Sequence, residues 1–94
     1  MEKILEKSET RYVLGVIEGN YCYYLKINHV PVPGQFVARK EYEMVTDIEI
    51  ATKASKHSIA EIILQDYKNA MKNNALEFTI LPVVIEFSLI KELD

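Results

Sequence analysis

The hydrophobic positions of this chain alternate with a period of two through its first half, shift to a helical period near residue 58, and return to alternation after residue 76. Two alternating runs, residues 11–18 and 21–27, are separated by Gly19-Asn20. Two residues able to take positive φ between β-prone runs specify a tight hairpin. In the second run Tyr21, Tyr23, Leu25 and Ile27 share one face and Cys22, Tyr24 and Lys26 the other, and the first is the expected core side. Residues 28–34 contain Pro31, Pro33 and Gly34, so they are expected to leave the sheet as a loop, because proline cannot donate to a ladder and biases its predecessor to extended geometry. Alternation resumes over residues 35–45, with Phe36, Ala38 and Tyr42 on one parity and Val37, Arg39 and Glu41 on the other.

Residues 58–72 predict a helix. Ser58 and Glu61 have the reciprocal capping-box spacing, and Ile59, Ala60, Ile63, Leu64, Tyr67, Ala70 and Met71 make one apolar stripe. Asn73-Asn74 offers an exit, since asparagine tolerates the left-handed conformation that ends helices. In the C-terminal run the apolar parity switches at Pro82, from Leu76, Phe78 and Ile80 to Val83, Ile85, Phe87 and Leu89. A bulge or break at Pro82 would keep both halves on one core and confine the proline to an edge or unpaired position. The expected architecture is a single α+β domain, residues 1–94, with a mainly antiparallel sheet of four or five strands and one helix across one face.

Composition narrows the class. The chain is 49% hydrophobic and 27% charged with three Gly and three Pro, a profile of folded globular chains. At 94 residues it is too short for a cleft between two lobes, which argues against an elaborate enzyme. Residues 1–7 carry charges where a signal peptide needs an apolar run, and no stretch approaches a membrane-spanning length, so a cytoplasmic protein with no membrane partner is expected. The single Cys22 has no disulfide or zinc partner, reads as a small strand residue, and fits a reducing compartment. A net charge of −3 gives no global preference for a polyanion.

Candidate chemistry is sparse. His29, assigned to the proline loop, and His57, assigned to the approach to the helix cap, lack Cys, Asp or Glu at ligand spacing, so no metal site is expected. Ser55, Ser58 and Ser88 lack a nucleophile elbow, and Gly15, Gly19 and Gly34 are isolated, so neither hydrolase chemistry nor a phosphate loop is supported and no cofactor is expected. Glu41 and Glu43 flank Tyr42 on one strand face, where two carboxylates could serve acid–base work but more simply keep an exposed face soluble. Arg39, Lys40, Lys53, Lys56, Lys68 and Lys72, with Tyr24 as a stacking surface, could form a nucleic-acid patch, against which the interleaved glutamates count.

A partner surface fits better. Ile62 falls off the apolar stripe of the helix, and Tyr24 lies opposite the expected core. The competing reading is a helix buried more widely than one stripe and a tyrosine covered by the N-terminal segment. Tyr24, Ile62, Arg39 and Lys40 are the candidate partner residues. The stretch 83–92 is long, apolar and lightly charged for a sheet edge, which predicts a homodimer or capture of a partner along it.

Residues 42–63, with a strand ending at Tyr42 to Val45, then Thr46-Asp47-Ile48, Ala51-Thr52, a short polar stretch and a helix carrying Ala60 and Ile63, resemble small accessory proteins encoded by phages and mobile elements of Gram-positive bacteria. In that type a hairpin or meander leads through a Tyr…Thr-Asp-Ile…Ala-Thr link into one helix and a final strand. The resemblance implies that Asp47 caps a short turn, that Ile48 and Ala51 tuck under the sheet and that Ser58 starts the helix. It carries over no catalytic residue. It implies a non-catalytic protein that binds and inhibits a host protein, such as a defence nuclease of the CRISPR type. The alternative from another class is a small nucleic-acid-binding regulator using Arg39/Lys40 and Lys53/Lys56.

Overall fold

Two long strands that pair briefly and then part company set the architecture. The computed structural model describes residues 2–91, and the side chains of residues 7–88. Strand β1 (Glu2–Glu18) turns at Gly19-Asn20 into β2 (Tyr21–Pro31), as the turn chemistry requires. The two are paired only through four residue pairs, from Glu18↔Tyr21 to Gly15↔Tyr24. Below that junction they diverge and each takes a new neighbour. β2 pairs with β3 (Ala38–Val45) from Tyr24↔Val45 to Pro31↔Ala38. β1 pairs with β4 (Thr79–Lys91) from Gly15↔Thr79 to Glu2↔Lys91. The result is a four-stranded antiparallel sheet of order β3-β2-β1-β4, forked into two arms, with helix α1 (His57–Met71) on one face.

The fork leaves backbone groups on the inner edges of β1 and β2 that need partners. The connection from β3 to α1 supplies them. Ala54 exchanges two backbone hydrogen bonds with Tyr12, at 2.9 and 2.8 Å, while the Thr52 amide donates to the Leu25 carbonyl at 3.0 Å. The Ile27 amide donates in turn to Thr52 Oγ1 at 2.7 Å. Residues 51–54 therefore form a wedge that joins the arms. Asp47 prepares the approach to it, accepting the Glu49 amide on Oδ1 at 2.9 Å, and Ala51 is buried while Ile48 is half-buried.

The wedge also explains why both faces of the sheet carry apolar residues. On the helix side Leu14 and Leu25 pack with Tyr67 and Phe78, bordered by Ile63, Leu64 and Ile80. Tyr67 meets Tyr42 and Phe78 edge-on, with ring centroids 5.3 and 5.0 Å apart, and its hydroxyl accepts the Leu76 amide at 2.8 Å. On the opposite face Val13, Val45 and Ala51 form a second cluster with Tyr24, Leu81 and Val83. Gly15 sits at the junction of the arms, where a Cβ would lie 2.7 Å from Leu81 Cδ1, so Leu81 can fold across the strand only because that position has no side chain.

Two packed faces correct the expectation for Pro82. The β1–β4 register runs through Tyr12↔Pro82 without interruption, and the shift in register lies between Leu5 and Lys7 instead. The parity switch needs no inserted residue, because Phe78 and Ile80 belong to the helix-side core and Leu81 and Val83 to the opposite cluster. Since Tyr12 spends its backbone groups on Ala54, Tyr12↔Pro82 is a pair without mutual hydrogen bonds, and the proline nitrogen points off the sheet edge where a missing N–H costs nothing. Pro31 follows the same rule. Alternate β2 residues from Tyr21 onward face away from β3, so the strand continues through Pro31, and His29 lies within the strand opposite Lys40, not in a loop.

The helix also differs in detail. Its N-cap is Lys56, without a side-chain cap bond, and Ser58 lies inside the first turn, so the Ser58/Glu61 box does not form. His57 Nδ1 pairs with Glu61 at 3.3 Å, and its ring meets Tyr12 edge-on at 5.5 Å. The chain leaves the helix at Lys72, with φ of 51°, and passes through a short 3-10 turn (Lys72–Asn74), so the positive φ falls before the asparagine pair.

The arm formed by β1 and β4 beyond Tyr12 stands clear of the body. The Cα radius of gyration is 16.9 Å and the extents are 57 × 41 × 23 Å, against the roughly 12 Å radius expected of a compact chain of this length. On its outer face Lys7, Glu9 and Arg11 form a charge ladder, with Lys7 Nζ 2.8 Å from Glu9 and 5.5 Å above the Phe87 ring. The Lys7 ammonium, with Arg11 beside it, holds the Glu9 carboxyl below its ordinary pKa despite partial desolvation.

The wedge yields a direct test. Thr52→Val keeps the shape of the side chain but leaves the Ile27 amide without its acceptor, and is expected to lower the unfolding free energy by about 1–3 kcal/mol in urea titrations. Thr52→Ser, which restores the oxygen, should recover most of the loss; a valine variant as stable as the parent would remove the wedge from its structural role.

Candidate surface site

Apolar side chains with no packing partner collect at the tip of the β2–β3 arm. Val32-Pro33-Gly34-Gln35 makes a tight turn, closed by the Gln35 amide on the Val32 carbonyl at 3.1 Å, with Gly34 at φ of 78°. Proline followed by a residue at positive φ is the signature of a type II turn. The ladder resumes only at Ala38, opposite Pro31, so Phe36 and Val37 belong neither to the turn nor to the sheet. They are 110% and 68% exposed. Arg39 and Lys40 follow at once on β3, both exposed, and His29 lies opposite Lys40. The Arg39 guanidinium is paired with Glu41 at 2.6 Å.

The candidate residues named from sequence do not form one patch. Ile62 is 61% exposed on the outer side of α1, as its position off the stripe predicted. Tyr24 lies on the other face of the sheet, half-buried against the cluster of Val13, Val45 and Ala51. The neighbouring Cys22 and then burial push its hydroxyl above the ordinary tyrosine pKa. The sheet therefore separates Tyr24 from Ile62, and Tyr24 is a packing residue more than an anchor. Arg39 and Lys40 alone sit beside the exposed apolar tip. The parity of Phe36 predicts a strand position, and the signal against it is the length of chain needed after Pro33-Gly34 before pairing can resume.

The remaining basic residues are engaged or scattered. Lys53 donates to the Glu49 and Ala51 carbonyls at 2.7 and 3.1 Å, which ties it to the wedge, while Lys56 takes the N-cap position through its backbone carbonyl alone. Glu41 and Glu43 are exposed, and Glu43 accepts from Asn28 Nδ2 at 2.9 Å. A groove of about 240 Å3 opens between β3 and the end of α1, lined by Leu25, Tyr42, Met44, Tyr67, Met71 and Leu76 among others. Burial, and to a lesser degree Asp66, raises the Tyr42 hydroxyl pKa there. A second space under the wedge holds about 10 Å3, room for roughly one water. Among the described residues no group of three or more His, Cys, Asp or Glu is placed to hold a metal ion, and no helix is long and apolar enough to cross a membrane.

Comparison with protein-family models, with curated proteins and with solved structures yields no match.

If Phe36 contributes nothing to folding, Phe36→Ser should change the unfolding free energy by less than about 0.5 kcal/mol. Phe78→Ala, at a side chain 7% exposed, should lower it by about 3–5 kcal/mol. Equal losses at the two positions would mean that the arm tip packs on the body.

Proposed function

We propose that this chain is a non-catalytic accessory protein of the phage or mobile-element type that binds a host protein in the cytoplasm and inhibits it by covering its surface, with a defence nuclease as the target class. The observation that carries the binding reading is the exposed pair Phe36-Val37 held at the end of a paired arm, with Arg39 and Lys40 alongside. A fully exposed phenylalanine costs solubility and contributes nothing to the core, whereas aromatic and arginine side chains together are the commonest anchors of protein interfaces. The arm carries Phe36 and Val37 within two residues of a hydrogen-bonded ladder that ends at Pro31↔Ala38, which limits the ordering that opposes association. The inhibitory role and the phage setting rest on the resemblance of residues 42–63 alone.

The rival reading, a nucleic-acid-binding regulator, also finds support at this tip, because Phe36 could stack on a base beside Arg39 and Lys40. The Arg39–Glu41 pair and the nearby Glu43 weigh against it. Affinity capture from a Gram-positive host lysate, with and without nuclease, separates the two. A nuclease-resistant stoichiometric protein partner, lost in Phe36→Ser/Val37→Asp and insensitive to salt between about 50 and 200 mM, is the expected outcome. Recovery of nucleic acid with affinity falling steeply over that range would establish the rival, and recovery of nothing would remove the binding role from the tip.

A further inference from the structure

The two outer edges of the sheet are built differently. β3 presents Arg39, Lys40, Glu41 and Glu43 within eight residues, the charged composition by which sheets guard an open edge. β4 carries Glu86 as its one charged residue between positions 79 and 90, and Val84 is 63% and Phe87 44% exposed. Beyond Tyr12 the β1–β4 arm is a ribbon of two strands, about 30 Å long at roughly 3.4 Å per residue, with no third strand among the described residues. An isolated two-stranded ribbon is marginal in water. A second ribbon laid against it would complete a four-stranded sheet.

We infer that β4 is the interface through which two copies of this chain associate, antiparallel and about a two-fold axis. Alternation from Tyr12↔Pro82 places the free N–H and C=O groups of Val84, Glu86 and Ser88 on the outer edge, ready to pair. The sequence restricts the register. An axis at Glu86 would oppose two like charges in a hydrogen-bonded pair. An axis at Val84 would set Glu86 of the partner subunit against Pro82, which has no N–H to give. An axis at Phe87 avoids both, and an axis at Ile85 avoids the like charges and moves Pro82 to the last pair of the ladder, opposite Ser88 of the partner subunit. Either axis pairs Glu86 with Val84 or Ser88 of the partner subunit, and brings Ile85 or Phe87 against its own symmetry mate on the face where Val83, Ile85 and Phe87 align. Pro82 then ends the ladder next to the body, as a stop. This association does not depend on the arm tip at Phe36 and Val37, which lies at the other end of the sheet order.

The outward N–H groups make no bond within the chain, so proline can remove them without touching the intrachain ladder, as Pro82 already does. Light scattering or sedimentation should give twice the chain mass of 10.9 kDa at tens of micromolar. Glu86→Pro and Val84→Lys should each give one chain mass with the circular dichroism of the folded chain retained. In a Cys22→Ser background, Ile85→Cys or Phe87→Cys should form a covalent dimer under mild oxidation, and Glu86→Cys should not. A parent of one chain mass throughout that range would overturn the inference, as would a folded Val84→Lys that remains dimeric. Should Glu86→Pro unfold, the lysine variant and the cysteine pair decide.

Discussion

The structure depends on the divergence of β1 from β2 and on the short wedge that makes it tolerable. Two strands that separate after four pairs would ordinarily leave inner-edge amides and carbonyls facing each other across a gap. Residues 51–54 close that gap by bonding to Tyr12 on one side and to Leu25 and Ile27 on the other. Leaving such groups unpaired would cost about 1–3 kcal/mol each, a large share of the stability of a small domain. With the wedge in place the helix start is fixed under the fork, Ala51 seals one face, and Ala60 and Ile63 border the other. The second apolar cluster, the uninterrupted β4 and the projecting arm all follow from the fork.

Much of the fold was legible because local chemistry and global arrangement agree. Gly19-Asn20 specifies a hairpin wherever it stands between alternating runs, and the apolar stripe locates the buried side of the helix at Ala60, Ile63, Leu64, Tyr67 and Met71, while its members Ile59 and Ala70 are exposed. Errors arose where tertiary context decided. The Ser58/Glu61 spacing satisfies a capping rule, but the helix begins earlier, where His57 can lie against Tyr12 and pair with Glu61. The consequence of each proline depends on which edge its nitrogen faces, and that is set by hydrogen-bond alternation from distant partners such as Ala54, not by composition. A parity switch looks like an insertion when only one face is assumed to be packed.

The surface site was less legible, and for a related reason. Tyr24 was placed opposite the core by correct parity, yet the structure covers that face with Val45 and Ala51, which no local pattern announces. Ile62 kept its predicted exposure because helical geometry alone determines it. Phe36 is the most exposed large hydrophobic side chain because β3 begins three residues later than the alternation predicts, at the kind of boundary that turn residues specify only loosely. Arg39 and Lys40 acquired a context only once that boundary was known.

The pairing of β1 with β4 also imposes an order on folding. Glu2 meets Lys91 and Gly15 meets Thr79, so the longest ladder joins segments separated by nearly the whole chain, whereas Gly19-Asn20 closes its hairpin among immediate neighbours. Loop-closure entropy opposes distant pairings and makes them slow. During synthesis β1 therefore emerges with its β4 side vacant until residues 79–91 leave the ribosome. For most of that interval a seventeen-residue strand waits with one flank open, and its Lys7, Glu9 and Arg11, which alternate along one face, are charges of the kind that guard an open strand against pairing with another copy.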